Sequence, residues 1–267
     1  DLEDNITRIF SRRDLHLLVD LTYHSAVSLP YDGRVINGWV NSLVCGDSAQ
    51  GKSETTTRLK AHYGLGERIE CKNASVAGLL GGLQQLGLRW FVTWGVIPTN
   101  DRRLVILEEV KGASTEIISK LTDMRSSGIA EIPKIERRRA HARTRLLFIS
   151  NPRESQPISA FNFGIEALQN LIGSLEDIRR FDLAILLASE DIDLAKLTPK
   201  NNVPHRYTAE VCHKLVLFAW TTKPEDIVYA EGTDKAVKEA GLYFSDRFTE
   251  SFPLVDKGTI RHKILRL

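Results

Sequence analysis

The chain is poor in the residues that mark several large classes of protein. Its three cysteines, Cys45, Cys71 and Cys212, lie far apart and form no C-x-x-C pair, so the sequence predicts neither a disulfide framework nor a zinc site. The longest apolar stretch, residues 183–188, is far too short to cross a bilayer, and the acidic start is not a signal peptide. We therefore expect an intracellular protein without a membrane partner, either cytoplasmic or associated with the nucleoid.

An excess of charge of one sign is also missing. The chain has 36 Lys and Arg against 34 Asp and Glu, a net charge of +2, so any affinity for nucleic acid has to come from local clusters of cations. With 267 residues, of which 42% are hydrophobic, it can bury a large core. It begins at Asp1 rather than Met and stops at Leu267 within a helical pattern, so we expect a piece of a longer protein.

What the chain does contain is a complete phosphate-loop motif, G-x-x-x-x-G-K-S. An apolar run, residues 43–45, precedes the motif and a helical pattern follows it, which is the context that phosphate binding needs. The motif predicts that backbone N–H groups wrap the phosphates of ATP, that Lys52 reaches the β- and γ-phosphates, and that the Ser53 hydroxyl binds Mg²⁺. The residues predicted to bind the nucleotide are Gly46, Asp47, Ser48, Ala49, Gln50, Gly51, Lys52, Ser53 and Glu54.

Apolar runs alternate with helical patterns at the spacing of βαβ units, which predicts an α/β fold with a doubly wound parallel sheet. Residues 199–204 contain two prolines and indicate a linker. We therefore expect an α/β core in 1–198 and a small, truncated all-helical domain in 205–267. The predicted strands are 43–45, 68–71, 103–109, 145–150 and 182–188, and the predicted helices are 1–30, 114–127, 208–221, 233–248 and one that begins near Lys257.

Two carboxylates end the predicted strand at 103–109. Nucleotide hydrolysis needs a divalent metal and a carboxylate that orients the attacking water. We therefore predict that Glu109 polarises water and that Glu108 is a Mg²⁺ ligand, at a position where Asp is usual. Asn151 follows the next strand and is predicted to hold the water in line with the γ-phosphate. The alternative is a solvated pair of acids at a strand end.

Cations cluster in two places. Arg179 and Arg180 precede the last predicted strand, where one of them could neutralise the γ-phosphate bound by a neighbouring subunit; a surface arginine pair fits equally well. Six cations lie between Lys134 and Arg145, and residues 128–141 are predicted to form a β-hairpin that carries this charge. Because few aromatic residues lie among them, this hairpin suits contact with a nucleic-acid backbone rather than stacking on bases. A solvated or subunit-contacting loop is the alternative.

Together these segments resemble the AAA+ module of the minichromosome maintenance (MCM) helicases over nearly the whole chain. The chain departs from the family at Gly51, where the family has Ala, at Glu108 in place of Asp, and at Arg179 in place of Ser. The segment after Leu79 is also short, so the resemblance is to a divergent member. The similar segments are 36–47, the phosphate loop 46–53, 75–79, 142–152, 180–182 and 259–261.

The resemblance implies an ATP- and Mg²⁺-dependent helicase motor that assembles into a ring, expected to be a hexamer, around single-stranded DNA. It implies that Arg180 is a finger acting on the neighbouring subunit and that Arg261 is a second sensor arginine in the helical domain. It also implies that residues 80–95 form a second loop of the channel. The residues implied to bind DNA are Lys134, Arg137 and Arg138.

Two other functions fit the same residues. In an AAA+ remodeller of protein substrates, the basic hairpin would contact a neighbouring subunit instead of DNA. In a degenerate family member, nucleotide and DNA would bind without turnover, because Glu108 replaces the usual Asp. The ATPase rate with and without single-stranded DNA distinguishes the first alternative, and the effect of Glu109→Gln on phosphate release distinguishes the second.

Overall fold

The computed structural model describes residues 1–132, 138–192, 197, 203–247 and 255–267. The described strands are β1 (Ser28–Tyr31), β2 (Arg34–Asn37), β3 (Asn41–Gly46), β4 (Glu67–Glu70), β5 (Gly81–Leu86), β6 (Arg89–Trp94), β7 (Leu104–Glu108), β8 (Ile129–Ile132), β9 (Arg138–His141), β10 (Arg145–Ser150) and β11 (Leu183–Leu187). The described α-helices are α1 (Arg13–His24), α2 (Lys52–Tyr63), α3 (Val76–Leu79), α4 (Val96–Thr99), α5 (Thr115–Ser127), α6 (Gly164–Ile172), α7 (Leu175–Arg179), α8 (Ala209–Thr221), α9 (Thr233–Arg247) and α10 (Ile260–Arg266).

The centre of the fold is a five-stranded parallel sheet in the order β11-β3-β10-β7-β4. Its strands coincide closely with the five predicted from apolar runs, so the predicted parallel α/β sheet is confirmed. In the register of the sheet, Ser150 of β10 lies beside Cys45 of β3, and Ile149 lies beside Glu108 of β7. The strand that delivers the phosphate loop is therefore separated from the strand that ends in the two carboxylates by β10 alone.

Side chains of the central strands alternate between two buried clusters, one on each face of the sheet. In β10, Leu146 and Phe148 face α5, α6 and α7, whereas Leu147 and Ile149 face α1, α2 and α8. This period of two, with helices on both faces, is what a parallel sheet buried on both sides requires. The result is three layers in which the sheet lies between two sets of helices.

The start of the chain differs from the single helix predicted over residues 1–30. A π-helix covers Leu2–Thr7, and α1 begins only at Arg13. Between them, Arg8 and Ser11 have φ values of 57° and 62°, a left-handed backbone that ends a helix. Residues 28–37 form a hairpin closed by Asp32 and Gly33, both with positive φ. Asp-Gly is a favoured pair for such a two-residue turn, and the prediction of one helix over residues 1–30 did not take this signal into account.

Two further hairpins project from the core. The strands β8 and β9 pair as the predicted basic hairpin, with Glu131 opposite Arg139. The strands β5 and β6 pair within the segment 80–95, which the resemblance implied to be a second loop of the channel, and Gly87 turns the chain between them with a φ of 61°. Residues 90–94, which follow that glycine, are all aromatic or β-branched, the types that favour a strand.

The helices predicted after the linker are confirmed as α8, α9 and α10. The indole of Trp220, on α8, donates to the backbone oxygen of Tyr23 at 2.7 Å, so α8 belongs to the same buried cluster as α1 and α2. Arg266, on α10, pairs with Asp182 at 2.6 Å, next to the start of β11. Most of the predicted linker, 199–202, lies outside the described residues, and a separate helical domain stays a prediction.

None of the described helices combines the length with the apolar character that a bilayer crossing requires.

Candidate nucleotide-binding site

The predicted site residues of the core converge because parallel strands end at one common edge of the sheet. Gly46 ends β3, Glu108 ends β7, and Asn151 follows β10 directly. The end of β11 also contacts the loop, because Asp47 donates its backbone N–H to the Leu187 oxygen at 2.9 Å. The carboxyl edge of an open parallel sheet is where such folds bind ligands.

The phosphate loop has the backbone that its motif predicts. Ala49 and Gly51 have φ values of 61° and 75°, and α2 begins immediately afterwards at Lys52. A Cβ at Gly51 would lie 2.7 Å from Cγ2 of Ile9, so the N-terminal segment packs too closely there for the Ala that the MCM family has. The loop therefore ends at a helix N-terminus whose N–H groups are available to an anion.

Lys52 is held inside the loop. Its ammonium donates to the backbone oxygens of Gly46, at 2.9 Å, and of Asp47. Burial lowers the pKa of Lys52 to about 8, although the negative charges of Asp47 and Glu109 oppose that shift. Since water is excluded, the charge of this side chain would act with little screening on the phosphate oxygens of a bound nucleotide.

The lowered pKa of Lys52 predicts that nucleotide affinity falls as the pH rises. Above about pH 8 a growing fraction of the lysine is neutral and no longer attracts phosphate, so the dissociation constant should rise by up to about tenfold per pH unit. Titration of a fluorescent ATP analogue between pH 6.5 and pH 9.5 measures this. The Lys52→Arg variant, which stays protonated throughout, should lose the slope; an equal slope in both proteins would contradict the assignment.

Asp47 ties the phosphate loop to two other segments. Its carboxylate accepts the backbone N–H of Ile158 at 2.7 Å and that of Ser189 at 2.8 Å, together with the Ser189 hydroxyl at 3.0 Å. Burial would raise the pKa of Asp47, but these hydrogen bonds outweigh burial and lower it below 3.8. The motif predicted Asp47 only as a residue that binds nucleotide, and its bracing role was missed.

A buried arginine from the N-terminal segment also holds the loop. Arg12 is 4% exposed and donates to the Gln50 side chain and, at 2.7 Å, to the Ala188 oxygen. Gln50 in turn donates to the Ser48 oxygen at 3.2 Å. No pattern in the sequence indicated this contact, because Arg12 lies 38 positions before its partner Gln50.

Glu108 is buried at 4% exposure and accepts from the guanidinium of Arg68 on β4. Arg68 also donates to the Thr57 hydroxyl at 2.5 Å, which links β4 and β7 to α2. The second carboxylate oxygen of Glu108, Oε1, is buried and has no hydrogen-bond partner among the described residues. An anionic oxygen with a free coordination position suits Mg²⁺, which prefers oxygen ligands.

Magnesium would rely on few protein ligands. In the described ranges, no group of three or more His, Cys, Asp or Glu side chains is arranged to hold a metal. Mg²⁺ commonly keeps several waters and uses one or two protein oxygens together with substrate phosphates. The residues that would hold it are therefore Glu108 and, by the motif, Ser53, which is exposed at the start of α2.

Glu109 differs from Glu108 in both exposure and backbone. Its side chain is 47% exposed, and its carboxylate lies 3.5 Å from the ammonium of Lys111. Its φ of 51° turns the chain sharply at the end of β7, which directs the two adjacent carboxylates to different environments. A solvent-accessible carboxylate at this edge can contact an attacking water. Lys111 was not predicted as part of the site.

Asn151 contacts the phosphate loop directly. Its side-chain amide donates to the Ser48 hydroxyl at 2.7 Å. The register of β10 between β3 and β7 places this amide between the loop and the two carboxylates. The structure therefore groups Lys52, Glu109 and Asn151 around one edge of the sheet, as the sequence predicted.

Arg180 and Arg261 do not reach the phosphate loop of their own chain. Arg180 precedes β11 and therefore lies at the amino edge of the sheet. The five residues of β11 span about 16 Å, which separates this edge from the carboxyl edge where the phosphate loop lies. Its guanidinium is 3.6 Å from Glu176. Arg261 lies on α10, a helix docked at that same amino edge through the Lys263 ammonium, which donates to the Phe181 oxygen at 2.7 Å.

Of the three residues predicted to bind DNA, Lys134 and Arg137 lie outside the described residues. Arg138 begins β9 and is exposed. The hairpin β8–β9 stands beside the hairpin β5–β6, and a groove between them is lined by arginines and by aromatic and aliphatic side chains. The groove residues are Leu83, Trp90, Phe91, Val92, Trp94, Arg138 and Arg139. The sequence predicted few aromatic residues near these cations. That prediction was wrong because the aromatic residues belong to β5–β6, which is distant from the basic hairpin along the chain but packs beside it.

No protein-family model matches the chain, and no curated protein sequence matches it significantly. The interpretation of the site therefore rests on its geometry.

Proposed function

We propose that this chain is the ATPase motor domain of an MCM-like AAA+ protein that translocates single-stranded DNA. The observation that carries the proposal is the convergence of Lys52, Glu109 and Asn151 at the phosphate-loop edge of the parallel sheet. A nucleotide-binding protein without hydrolysis needs the lysine but has no need of an exposed carboxylate opposite it. The order of the strands also supports hydrolysis, because β10, which precedes Asn151, lies between β3, which leads into the phosphate loop, and β7, which ends next to Glu109.

Each group has a defined part in hydrolysis. The N–H groups at the start of α2 and the Lys52 ammonium bind the phosphates, and Asn151 orients the water toward them. Glu109 accepts a proton from that water as the water oxygen attacks the γ-phosphorus, and the bond from that phosphorus to the β–γ bridging oxygen breaks, so that ADP and inorganic phosphate leave. Glu108 and Ser53 would be the ligands of Mg²⁺ from this chain, and the metal would neutralise charge on the phosphate oxygens.

The positions of Arg180 and Arg261 support a role in a neighbouring subunit. Neither side chain lies at the carboxyl edge where ATP would bind, so these two arginines can reach a γ-phosphate only in an adjacent copy. A ring of copies, as proposed here, places the amino edge of one subunit against the phosphate loop of the next.

The groove between the two hairpins supports single-stranded DNA as the substrate. Arginines there can contact the sugar-phosphate backbone, and the exposed rings of Trp90 and Phe91 can stack on bases. Double-stranded DNA has its bases already stacked and offers only its phosphates. A surface that combines cations with exposed aromatic rings therefore favours a single strand.

The test of the function is the ATPase rate with and without single-stranded DNA, measured over a series of salt concentrations. We expect stimulation that falls steeply as salt rises, because phosphate contacts release counterions. The double variant Lys134→Ala with Arg137→Ala should lose most of the stimulation. A rate that DNA leaves unchanged at every salt concentration would support the remodeller of protein substrates instead.

The Trp90→Ala variant is expected to bind single-stranded DNA more weakly by about 1–3 kcal/mol, the range measured for a base stacked on an aromatic side chain. Because Trp90 is 50% exposed, the substitution should leave the fold intact. Fluorescence anisotropy with an oligonucleotide measures the affinity. Leu88→Ala is the matched control, since Leu88 is 98% exposed on the same hairpin and cannot stack; equal losses in both variants would contradict stacking.

A further inference from the structure

A strongly cationic pocket lies at the amino edge of the sheet. The helices α5, α7 and α10 contribute to its walls, and its volume is about 330 Å³. Five lysine or arginine side chains line it against two carboxylates. The cations are Arg125, Arg179, Arg180, Lys263 and Arg266, and the carboxylates are Glu176 and Asp256.

Several of these cations already have partners in the chain. Arg266 pairs with Asp182 at 2.6 Å, and Lys263 donates to the backbone oxygens of Phe181 and Arg179. Arg180 lies 3.6 Å from Glu176. These contacts fix the wall of the pocket, but the positive charge still exceeds the negative charge.

Among the described residues, Arg125 has hydrogen-bond partners for only one of its three side-chain nitrogens. It is 3% exposed, its guanidinium lies 3.9 Å from the centre of the Phe181 ring, and its Nη2 donates to the Thr122 hydroxyl at 2.7 Å and to the Asp177 backbone oxygen at 3.2 Å. The other two nitrogens, Nε and Nη1, are buried and have no hydrogen-bond partner among the described residues. Burial lowers the pKa of Arg125 to about 10, so the group is still charged at neutral pH.

A buried charged donor without an acceptor is costly, and such a group is normally satisfied by a partner. An anion suits this position, because the five cations of the pocket still outnumber its two carboxylates together with Asp177 and Asp182, whose negative charges also act on Arg125. It also has to accept several hydrogen bonds at once, since Arg125 offers two free nitrogens beside Arg179 and Arg180. Phosphate oxygens meet both requirements.

We propose that this pocket binds a phosphate group through the free nitrogens of Arg125. The phosphate could belong to the nucleotide held by a second copy of this chain, a source that rests on the proposed function, or to a free polyphosphate. In either case Arg125 contacts the anion directly, and its stacking on Phe181 also holds the segment that carries Arg180.

The first experiment tests the anion site without any ATPase activity. Inorganic tripolyphosphate is titrated calorimetrically into the Lys52→Ala variant, in which the phosphate loop is disabled, and into the double variant Lys52→Ala with Arg125→Met. Methionine keeps an apolar stem against the aromatic rings while it removes the charge and the donors. We expect binding to weaken roughly 10- to 100-fold, as for loss of hydrogen bonds to a charged group.

The matched control is Lys52→Ala with Arg103→Met, because Arg103 directly precedes β7 at the same edge of the sheet but lies outside the pocket. It should bind tripolyphosphate like the Lys52→Ala variant. Should the methionine variant fail to fold, Arg125→Lys, which keeps the charge and loses the planar donor set, takes its place. Equal binding in the Arg125 variant and the control overturns the proposal and leaves water as the partner of Arg125.

A second experiment distinguishes the two sources of phosphate. The Lys52→Ala protein has an intact pocket, and the Arg125→Met protein has an intact phosphate loop, so mixing them restores ATPase activity only if the pocket acts on a neighbour's nucleotide. Binding in the first experiment without restoration assigns the pocket to a free polyphosphate. An inactive wild-type protein would refute the proposed function, and the calorimetry would still decide the site.

Discussion

Replacing Glu109 by Gln is expected to lower the rate of ATP hydrolysis about 10²- to 10⁴-fold, the contribution usual for a positioned general base. The amide that replaces the carboxylate cannot accept the proton of the attacking water. Because Glu109 is exposed at the end of β7 and pairs only loosely with Lys111, at 3.5 Å, the substitution should not disturb the fold. Phosphate release under saturating ATP measures the effect.

Nucleotide binding should survive in the Glu109→Gln variant, since Lys52 and the N-terminus of α2 remain in place. The matched control is Glu70→Gln, an exposed glutamate that ends the neighbouring strand β4 at the same edge. It should hydrolyse ATP at the wild-type rate. If wild type and Glu109→Gln both bind ATP and neither releases phosphate, the chain is a degenerate family member and the proposed motor is wrong.

Replacing Asp47 by Ala is expected to lower the free energy of unfolding by about 2–4 kcal/mol. The substitution removes the charged acceptor of two backbone N–H groups, those of Ile158 and Ser189, and a hydrogen bond to a charged group contributes about 1.5–3 kcal/mol. Urea unfolding followed by circular dichroism measures the loss. Asp123→Ala, at an exposed position of α5, is the control and should change stability by less than about 0.5 kcal/mol.

The same variant should also show a characteristic dependence on pH. The pKa of Asp47 is lowered in the folded state from its ordinary value of 3.8, so its contribution is complete above that value and disappears as the pH falls through the folded pKa. The difference in stability between wild type and Asp47→Ala should be constant from pH 7 to about pH 5 and shrink below about pH 4. A difference that persists undiminished at pH 2 would contradict the role of the carboxylate.

The sequence predicted well what is encoded locally. The glycines, Lys52 and the helix pattern of the phosphate loop lie within a few positions of one another, and a buried parallel strand such as β10 is marked by its continuous apolar run. Both signals depend on neighbours along the chain. The parallel sheet and the grouping of its polar strand ends followed from them.

The contacts that the sequence did not predict are made between distant segments. Arg68 meets Glu108 because β4 pairs with β7 in a register that places Glu70 beside Glu108, and nothing in either segment specifies that pairing. The groove of Trp90 and Arg138 likewise depends on two hairpins packing side by side. The single helix predicted over residues 1–30 failed for the opposite reason. The local apolar pattern of a helix continues past Arg8 and Ser11, but their left-handed backbone interrupts the helix.

The opposite placement of the phosphate loop and Arg180 has a consequence for how many working sites an assembly can have. If Arg180 acts on a neighbouring copy, as proposed, each copy carries half of an ATPase site at each edge of its sheet. An open row of copies then ends in a phosphate loop that faces no arginine and begins with an arginine that faces no phosphate. Only a closed ring would pair every phosphate loop with an arginine of a neighbouring copy. In a motor built this way, activity per chain rises with concentration, and dilution alone switches it off.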